Sequence, residues 1–168
     1  MGTFAVQIAK AFGAEVTAVC STSKFDMVRS IGADKVIDYA REDFTKSGHR
    51  YDLILANAGD RSIFDYKRVL SPEGIYVCTG GSLKQYTQAA LLGPLISKMG
   101  SKKFGAILGK PNQKDYDVLL ELIEMGKVLP VIDRRYPLNE VPEALRYYGA
   151  GHTQGKVVIS IVQNDKLS

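Results

Sequence analysis

Residues 1–24 read MGTFAVQIAKAFGAEVTAVCSTSK, and the order of patterns in this stretch decides the fold. Phe4, Ile8 and Phe12 recur at helical spacing with Ala5 and Ala9 beside them, which predicts an amphipathic helix from about Thr3. Gly13-Ala14 ends it, because glycine enters the left-handed conformation that a helix stop often needs. Residues 14–20, AEVTAVC, form an apolar run without strict alternation, the pattern of a strand covered on both faces. STSK then offers hydroxyls that can cap a second helix. Helix, buried strand and capped helix in succession mark a β-α-β alternation that is met here with its helix first.

The alternation continues along the chain. A helix over 24–31 points Phe25, Val28 and Ile31 inward and stops at Gly32, and a short strand, KVID, spans 35–38. Residues 40–50 are polar with a loose helical turn, and YDLILAN at 51–57 reads as a central strand. In a helix over 63–70, Ile63, Tyr66, Lys67 and Leu70 share one side. SPEG at 71–74 reads as a turn, since proline pre-sets the backbone angle and glycine releases it. IYVCT at 75–79 is a strand running into Gly80-Gly81. The mostly apolar segment 83–99 is expected to break or kink at Gly93-Pro94, and FGAIL at 104–108 is a further strand. Strands separated by helices imply right-handed crossovers, hence an α/β protein with a doubly wound, mostly parallel sheet. From about residue 111 the pattern changes: a helix over 113–125, an extended VLPVIDRRYPL, a short helix in NEVPEALRYY and a closing strand KVVISI.

Several function classes are disfavoured. The net charge is +4, but the 22 basic residues are scattered and cluster at most as pairs, whereas a nucleic-acid interface wants a stripe or patch. No apolar run approaches the roughly 20 residues that span a bilayer, so no membrane partner is expected. No basic segment leads into an apolar stretch at the N-terminus, and a cytoplasmic location is expected. Cys20 and Cys78 each close an apolar run, and His49 and His152 sit in polar loops, so no metal-ligand set emerges. LANAG at 55–59 is like the NAG stretch of short-chain dehydrogenases, yet none of the nine tyrosines has lysine four residues on, as their proton transfer requires.

Ligands of doubly wound sheets sit at the carboxyl ends of the strands. The residues at those ends here are Ser21, Thr22 and Lys24, then Asp38 and Tyr39, then Asn57 and Gly59, then Gly80 and Gly81. Hydroxyls with a lysine can hold phosphate, and paired glycines let backbone approach a flat ring.

Four stretches carry a family resemblance: GTFAVQIAKAFGAEVTAVCSTSK, VRSIGADKVIDY, LSPEGIYVCTGG and EALRYYGAGHTQGKVVISI. Together they resemble the medium-chain dehydrogenase/reductase superfamily, and most closely its zinc-free, quinone-oxidoreductase-like branch, related to the zinc-type alcohol dehydrogenases. In that family the first helix follows a strand and a turn ending Gly-Gly-Val-Gly. Gly2 matches only the last of those glycines, so the resemblance implies a fragment lacking the first strand and the N-terminal substrate domain. It also implies a Rossmann-like cofactor domain over 1–110 and, over 111–168, a return to the substrate (GroES-like) domain. With strand order 3-2-1-4-5-6, the absent strand is central. The strands at 14–20 and 52–56 are therefore expected to close up and pair.

The resemblance assigns roles residue by residue. Gly2 and Thr3 would flank the pyrophosphate, whose charge a helix N-terminus favours. Ser21 and Lys24 would meet the adenosine 2′-phosphate, with Thr22 between them also in the cofactor site, and the absence of an acid in C-S-T-S-K favours NADP over NAD. Tyr39 would pack near the adenosine, and Asn57, Gly80 and Gly81 would line the nicotinamide side. The implied function is an NADP-dependent oxidoreductase transferring hydride to or from a small molecule, a quinone, enone, aldehyde or alcohol. No residue of this chain is identified as catalytic, no metal is assigned, and the cofactor half alone is expected to be inactive. The alternative is a non-catalytic nucleotide-binding or interaction module. A homodimer through the edge strand at 104–108 is also expected, since FGAIL is an apolar edge guarded only by Lys102, Lys103 and Lys110.

Overall fold

The computed structural model describes residues 1–107 and 112–161; Leu108 and Lys110, part of the expected dimer edge, lie outside them. Every strand ladder in it is parallel, as the doubly wound reading requires. The chain divides into two compact units, one of Met1–Asp38 with the chain from Lys114 onward, the other of Tyr39–Gln113.

In the first unit, α1 (Gly2–Ala11) leads to β1 (Thr17–Cys20), α2 (Phe25–Ser30) and β2 (Lys35–Asp38), with β1 paired to β2. Val6, Val28 and Ala33 form its core, with Val16, Ala18 and Val36 packed around them. The stripe on α1 differs from the expected one. Val6 and Gln7 are buried, while Phe12 is 73% exposed. Gln7 goes inside because its amide is fully used. It donates to the Leu129 carbonyl at 2.9 Å and accepts from the Leu129 N–H at 2.8 Å. A polar side chain with backbone partners can be buried at little cost, and apolar periodicity cannot anticipate that.

The α2 stop is as read: Gly32 adopts φ +106°, and the N–H groups of Gly32 and Ala33 close on the Arg29 and Val28 carbonyls. Asp34 then ties the turn together. It accepts from Val16 N at 2.7 Å and from Lys10 Nζ at 2.9 Å, and these bonds hold its carboxyl below the usual range. Later in the same unit come α5 (Gln113–Glu124), β6 (Ile132–Pro137), α6 (Val141–Gly149) and β7 (Lys156–Ser160), with β6 paired to β7.

The second unit holds β3 (Tyr51–Ala56), α3 (Ile63–Val69), β4 (Leu70–Cys78), α4 (Leu83–Lys98) and β5 (Lys103–Ala106), in the strand order β3-β4-β5. Tyr66, Leu70, Tyr76, Cys78, Ala89, Ile96 and Phe104 build its core. On α3 the inward residues are Ile63, Tyr66 and Val69, and Lys67 lies in solvent.

Two expectations are corrected here. The SPEG turn lies inside β4: Tyr51 pairs with Leu70 and Leu53 with Ile75, so residues 71–74 bulge out between two stretches of one ladder. Gly93-Pro94 does not interrupt α4, which runs through both. A Cβ on Gly93 would lie 3.0 Å from the Phe104 carbonyl, so the glycine serves close helix–strand packing there, and Ser97 Oγ donates to the Gly93 carbonyl at 2.7 Å. β1 takes its ladder from β2 and β3 takes its ladder from β4, each within its own unit.

Candidate functional site

Two groups of strand-end residues come together, one within each unit. In the first, the β1–β2 ladder ends with Cys20 opposite Asp38. Beyond Cys20 the chain turns through Thr22–Lys24, with Ser21 extended (φ −75°, ψ 153°) at its head. Ser21 uses its carbonyl, not its hydroxyl, to hold this turn: Lys24 N donates to Ser21 O at 3.0 Å. The Ser21 hydroxyl lies 3.1 Å from that of Ser23, and neither caps the helix. Thr22 donates its hydroxyl to the Asp38 carboxylate. Lys24 is half-buried and forms no ion pair with another described residue. Burial pushes the Cys20 thiol up, the Lys24 charge pulls it down and the Asp38 charge raises it, so both charges act at this strand end. Tyr39, the next residue, is 59% exposed.

The start of α1 is also open. No side chain caps it and its first turn holds no acid, while the Phe4 and Ala5 N–H groups both turn back to the Met1 carbonyl. The Lys156 ammonium lies 5.1 Å from the centre of the Phe4 ring, which adds a cation at the positive end of the helix dipole. Burial, then the Lys156 charge, pulls the Met1 amine below its ordinary pKa. Gly2 is exposed and Thr3 half-buried at this terminus. An exposed, uncapped helix start beside an ammonium suits an anion.

In the second unit the ends of β3 and β4 are locked together. Thr79 N donates to the Ala56 carbonyl at 3.0 Å, and the Thr79 hydroxyl donates to Asn57 Oδ1. Gly80 lies so close that a Cβ would come within 2.6 Å of the Asn57 carbonyl oxygen. Gly81 has φ +112°, and a Cβ on it would meet Gln85 Oε1 at 2.5 Å. The Gly59 backbone presses likewise on the Tyr66 hydroxyl and the Gln85 amide. Close packing within the protein therefore requires glycine at these positions.

Gln85 supports these glycines from below. It is 3% exposed, and its Nε2 donates to the hydroxyls of Tyr66 at 3.2 Å and Tyr76 at 3.0 Å. Its Oε1 is buried without a hydrogen-bond partner. Burial raises the pKa of both tyrosines, keeping their hydroxyls neutral. A polar cleft beside Gln85, lined by Arg61, Ser62, Ser82 and Gln88, has a volume of about 40 Å³, which suits a water or two and no nucleotide. Arg61 is held toward it by Asp43 at 3.2 Å.

Of the residues singled out from sequence, Ser21, Thr22 and Lys24 are thus brought together, and so are Asn57, Gly80 and Gly81. Gly2 and Thr3 stand at an open helix start. The first unit thus carries hydroxyls and ammonium groups at α1 and at 21–24, and the second carries closely packed glycine backbone at 80–81. Among the described residues, no three His, Cys, Asp or Glu side chains gather where a metal ion could sit. Thr79, Gln85 and Lys156 escape the sequence reading. Gln85 carries a signal that could have found it, since it stands in register with Ala89, Gly93 and Ile96 on the buried face of α4.

Residues 31–159 match the family model described as zinc-binding dehydrogenase. Among curated proteins, the mitochondrial NAD(P)H oxidoreductase RTN4IP1 of Homo sapiens is 32% identical over 96% of this chain and 46% of its own. The chloroplast envelope quinone oxidoreductase homolog of Arabidopsis thaliana is 32% identical, over 95% of this chain and 49% of its own. Among solved structures, a thermostable alcohol dehydrogenase from Pyrobaculum aerophilum superposes with a TM-score of 0.71 at 27% identity, covering 95% of this chain and 46% of that one. The quinone oxidoreductase from Coxiella burnetii gives 0.77 at 22% identity, over 96% and 49%, a likeness of fold. The chain spans about half the length of the curated relatives it matches. No described helix is long and apolar enough to cross a membrane.

Proposed function

Because this chain belongs to the zinc-binding dehydrogenase family, we propose that it supplies the dinucleotide-binding part of an NADP-preferring oxidoreductase acting on a quinone, enone, aldehyde or alcohol. The observation that carries this reading is the turn after β1, where the Ser21 hydroxyl is not used for capping and Lys24 has no ion-pair partner among the described residues. In this reading Ser21 and Lys24 receive the 2′-phosphate with Thr22 beside them, and the open N–H groups of Gly2 and Thr3 face the pyrophosphate. Tyr39 covers the adenosine, and Asn57, Gly80 and Gly81 orient the ring and keep side chains away from it. A bound nicotinamide nucleotide supplies the hydride; the residues named here bind and orient, and none is assigned a proton. Among the described residues there is no His, Cys, Asp or Glu cluster that could hold the zinc of the family's name.

We also propose the division at about residue 110 between a cofactor domain and a return segment, and a cytoplasmic location. The mitochondrial and chloroplast labels belong to the relatives. Isothermal titration calorimetry tests the cofactor reading. NADP should bind more tightly than NAD, and NADPH consumption with a quinone panel measures turnover by the same chain. Equal affinity for the two nucleotides, or binding of neither, overturns it.

A homodimer through β5 belongs to the same reading. β5 ends its sheet, paired with β4 on one side only among the described residues. An edge of this kind is a ready template for a second copy, with Lys102 and Lys103 as its charged guards. Light scattering should report a dimer at high protein concentration, and an added charge, Gly105→Glu, should shift it to monomer. A monomer in the parent chain rules this assembly out.

A further inference from the structure

We propose that Asp38 opposes Lys24 at the 2′ position of the adenosine ribose, so that the balance of these two residues sets how far the chain prefers NADP over NAD. This rests on the adenosine-site reading above. In the sequence, the end of β1 reads C-S-T-S-K and holds no acid. The fold brings an acid there from the neighbouring strand. The β1–β2 register sets Asp38 opposite Cys20, and the Thr22 hydroxyl anchors the Asp38 carboxylate against the turn that carries Ser21 and Lys24.

A 2′-phosphate placed on Ser21 and Lys24 would therefore meet a fixed negative charge as well as the ammonium. Like charges a few ångström apart near a protein surface repel about as strongly as opposite ones attract, so Asp38 works against what Lys24 contributes. A ribose without the phosphate presents a 2′-hydroxyl, which can donate to a carboxylate; acids at strand ends of dinucleotide-binding folds select NAD in that way. Asp38 would do so from β2, one strand away from the usual place.

The test is calorimetry on the full chain with adenosine 2′,5′-bisphosphate and adenosine 5′-monophosphate, which differ only by the 2′-phosphate. Asp38→Asn keeps the shape of the side chain and an acceptor for Thr22. It should raise the affinity ratio in favour of the bisphosphate by about tenfold, the equivalent of about 1.4 kcal/mol. Lys24→Gln should move the ratio the opposite way by a similar factor. A folding defect would weaken both ligands alike, so the ratio reports charge and not stability. If the parent binds both ligands and Asp38→Asn leaves the ratio unmoved, the inference is overturned while the site stands. If the parent binds neither ligand, the site reading falls and takes the inference with it.

Discussion

Replacing Gln85 with leucine is expected to destabilise the protein by about 2–4 kcal/mol, a large share of the roughly 5–15 kcal/mol that holds a domain folded. Leucine fills nearly the same space, so the loss comes from hydrogen bonding and not from a cavity. The hydroxyls of Tyr66 and Tyr76 would both lose the Gln85 amide, and both rings are almost wholly buried, at 3% and 1% exposure. Each buried polar group left without a partner costs about 1–3 kcal/mol, partly offset here by removing an Oε1 that has none. The two tyrosines cannot swing out to water. Tyr76 is stacked between Tyr66, at 4.7 Å between ring centres, and Phe104, at 5.4 Å. Adding Tyr76→Phe to Gln85→Leu should recover about half of the loss, because removing both partners of a bond is nearly neutral. Adding Tyr66→Phe instead should recover a similar share, because the hydroxyl it removes has lost the same amide. Urea denaturation midpoints measure all three variants. A Gln85→Leu protein as stable as the parent would show that the network contributes nothing.

The same residue shows where the sequence stops being readable. Apolar periodicity and turn chemistry locate the elements well: β2 is observed at the residues read for it, and α3 and β3 differ from expectation by one residue at one end. Parallel ladders follow from the alternation itself. What periodicity cannot show is a polar side chain satisfied inside. Gln7 and Gln85 are both buried, the first against the Leu129 backbone, the second against two tyrosines, and each partner is fixed only by the fold. The breaker residues misled for a related reason. Pro94 and the SPEG segment obey their local rules, but close packing at Gly93 carries the helix on and a bulge absorbs the turn. At the candidate site, Ser21 and Lys24 are legible because ligands gather at strand ends. The approach of Asp38 to Thr22 depends on a register between strands, and residue spacing along one strand does not contain it.

Gly80→Ala is expected to separate the two halves of the proposed nucleotide site in a binding experiment. The added Cβ would sit 2.6 Å from the Asn57 carbonyl oxygen, well inside contact distance, so something must shift. The shift cannot stay local. Asn57 is the residue after β3, its side chain accepts the Thr79 hydroxyl, and Thr79 N is bonded to the Ala56 carbonyl at 3.0 Å. Pushing Asn57 away therefore strains the last rungs of the ladder, where Ala56 pairs with Cys78. Overpacking of this sort costs about 1–3 kcal/mol in stability. The effect on binding should be larger, because the moved backbone is the surface proposed to face the ring, and small misplacements there can cost about tenfold or more. NADPH should thus bind far more weakly to the variant, while adenosine 2′,5′-bisphosphate, which reaches only residues 21–24 and their neighbours in this reading, should bind as it does to the parent. Gly100→Ala, between α4 and β5, is the matched control: a Cβ there meets nothing within 4 Å, and neither affinity should fall. If Gly80→Ala leaves NADPH binding intact, the Gly80-Gly81 backbone is not where the nicotinamide lies.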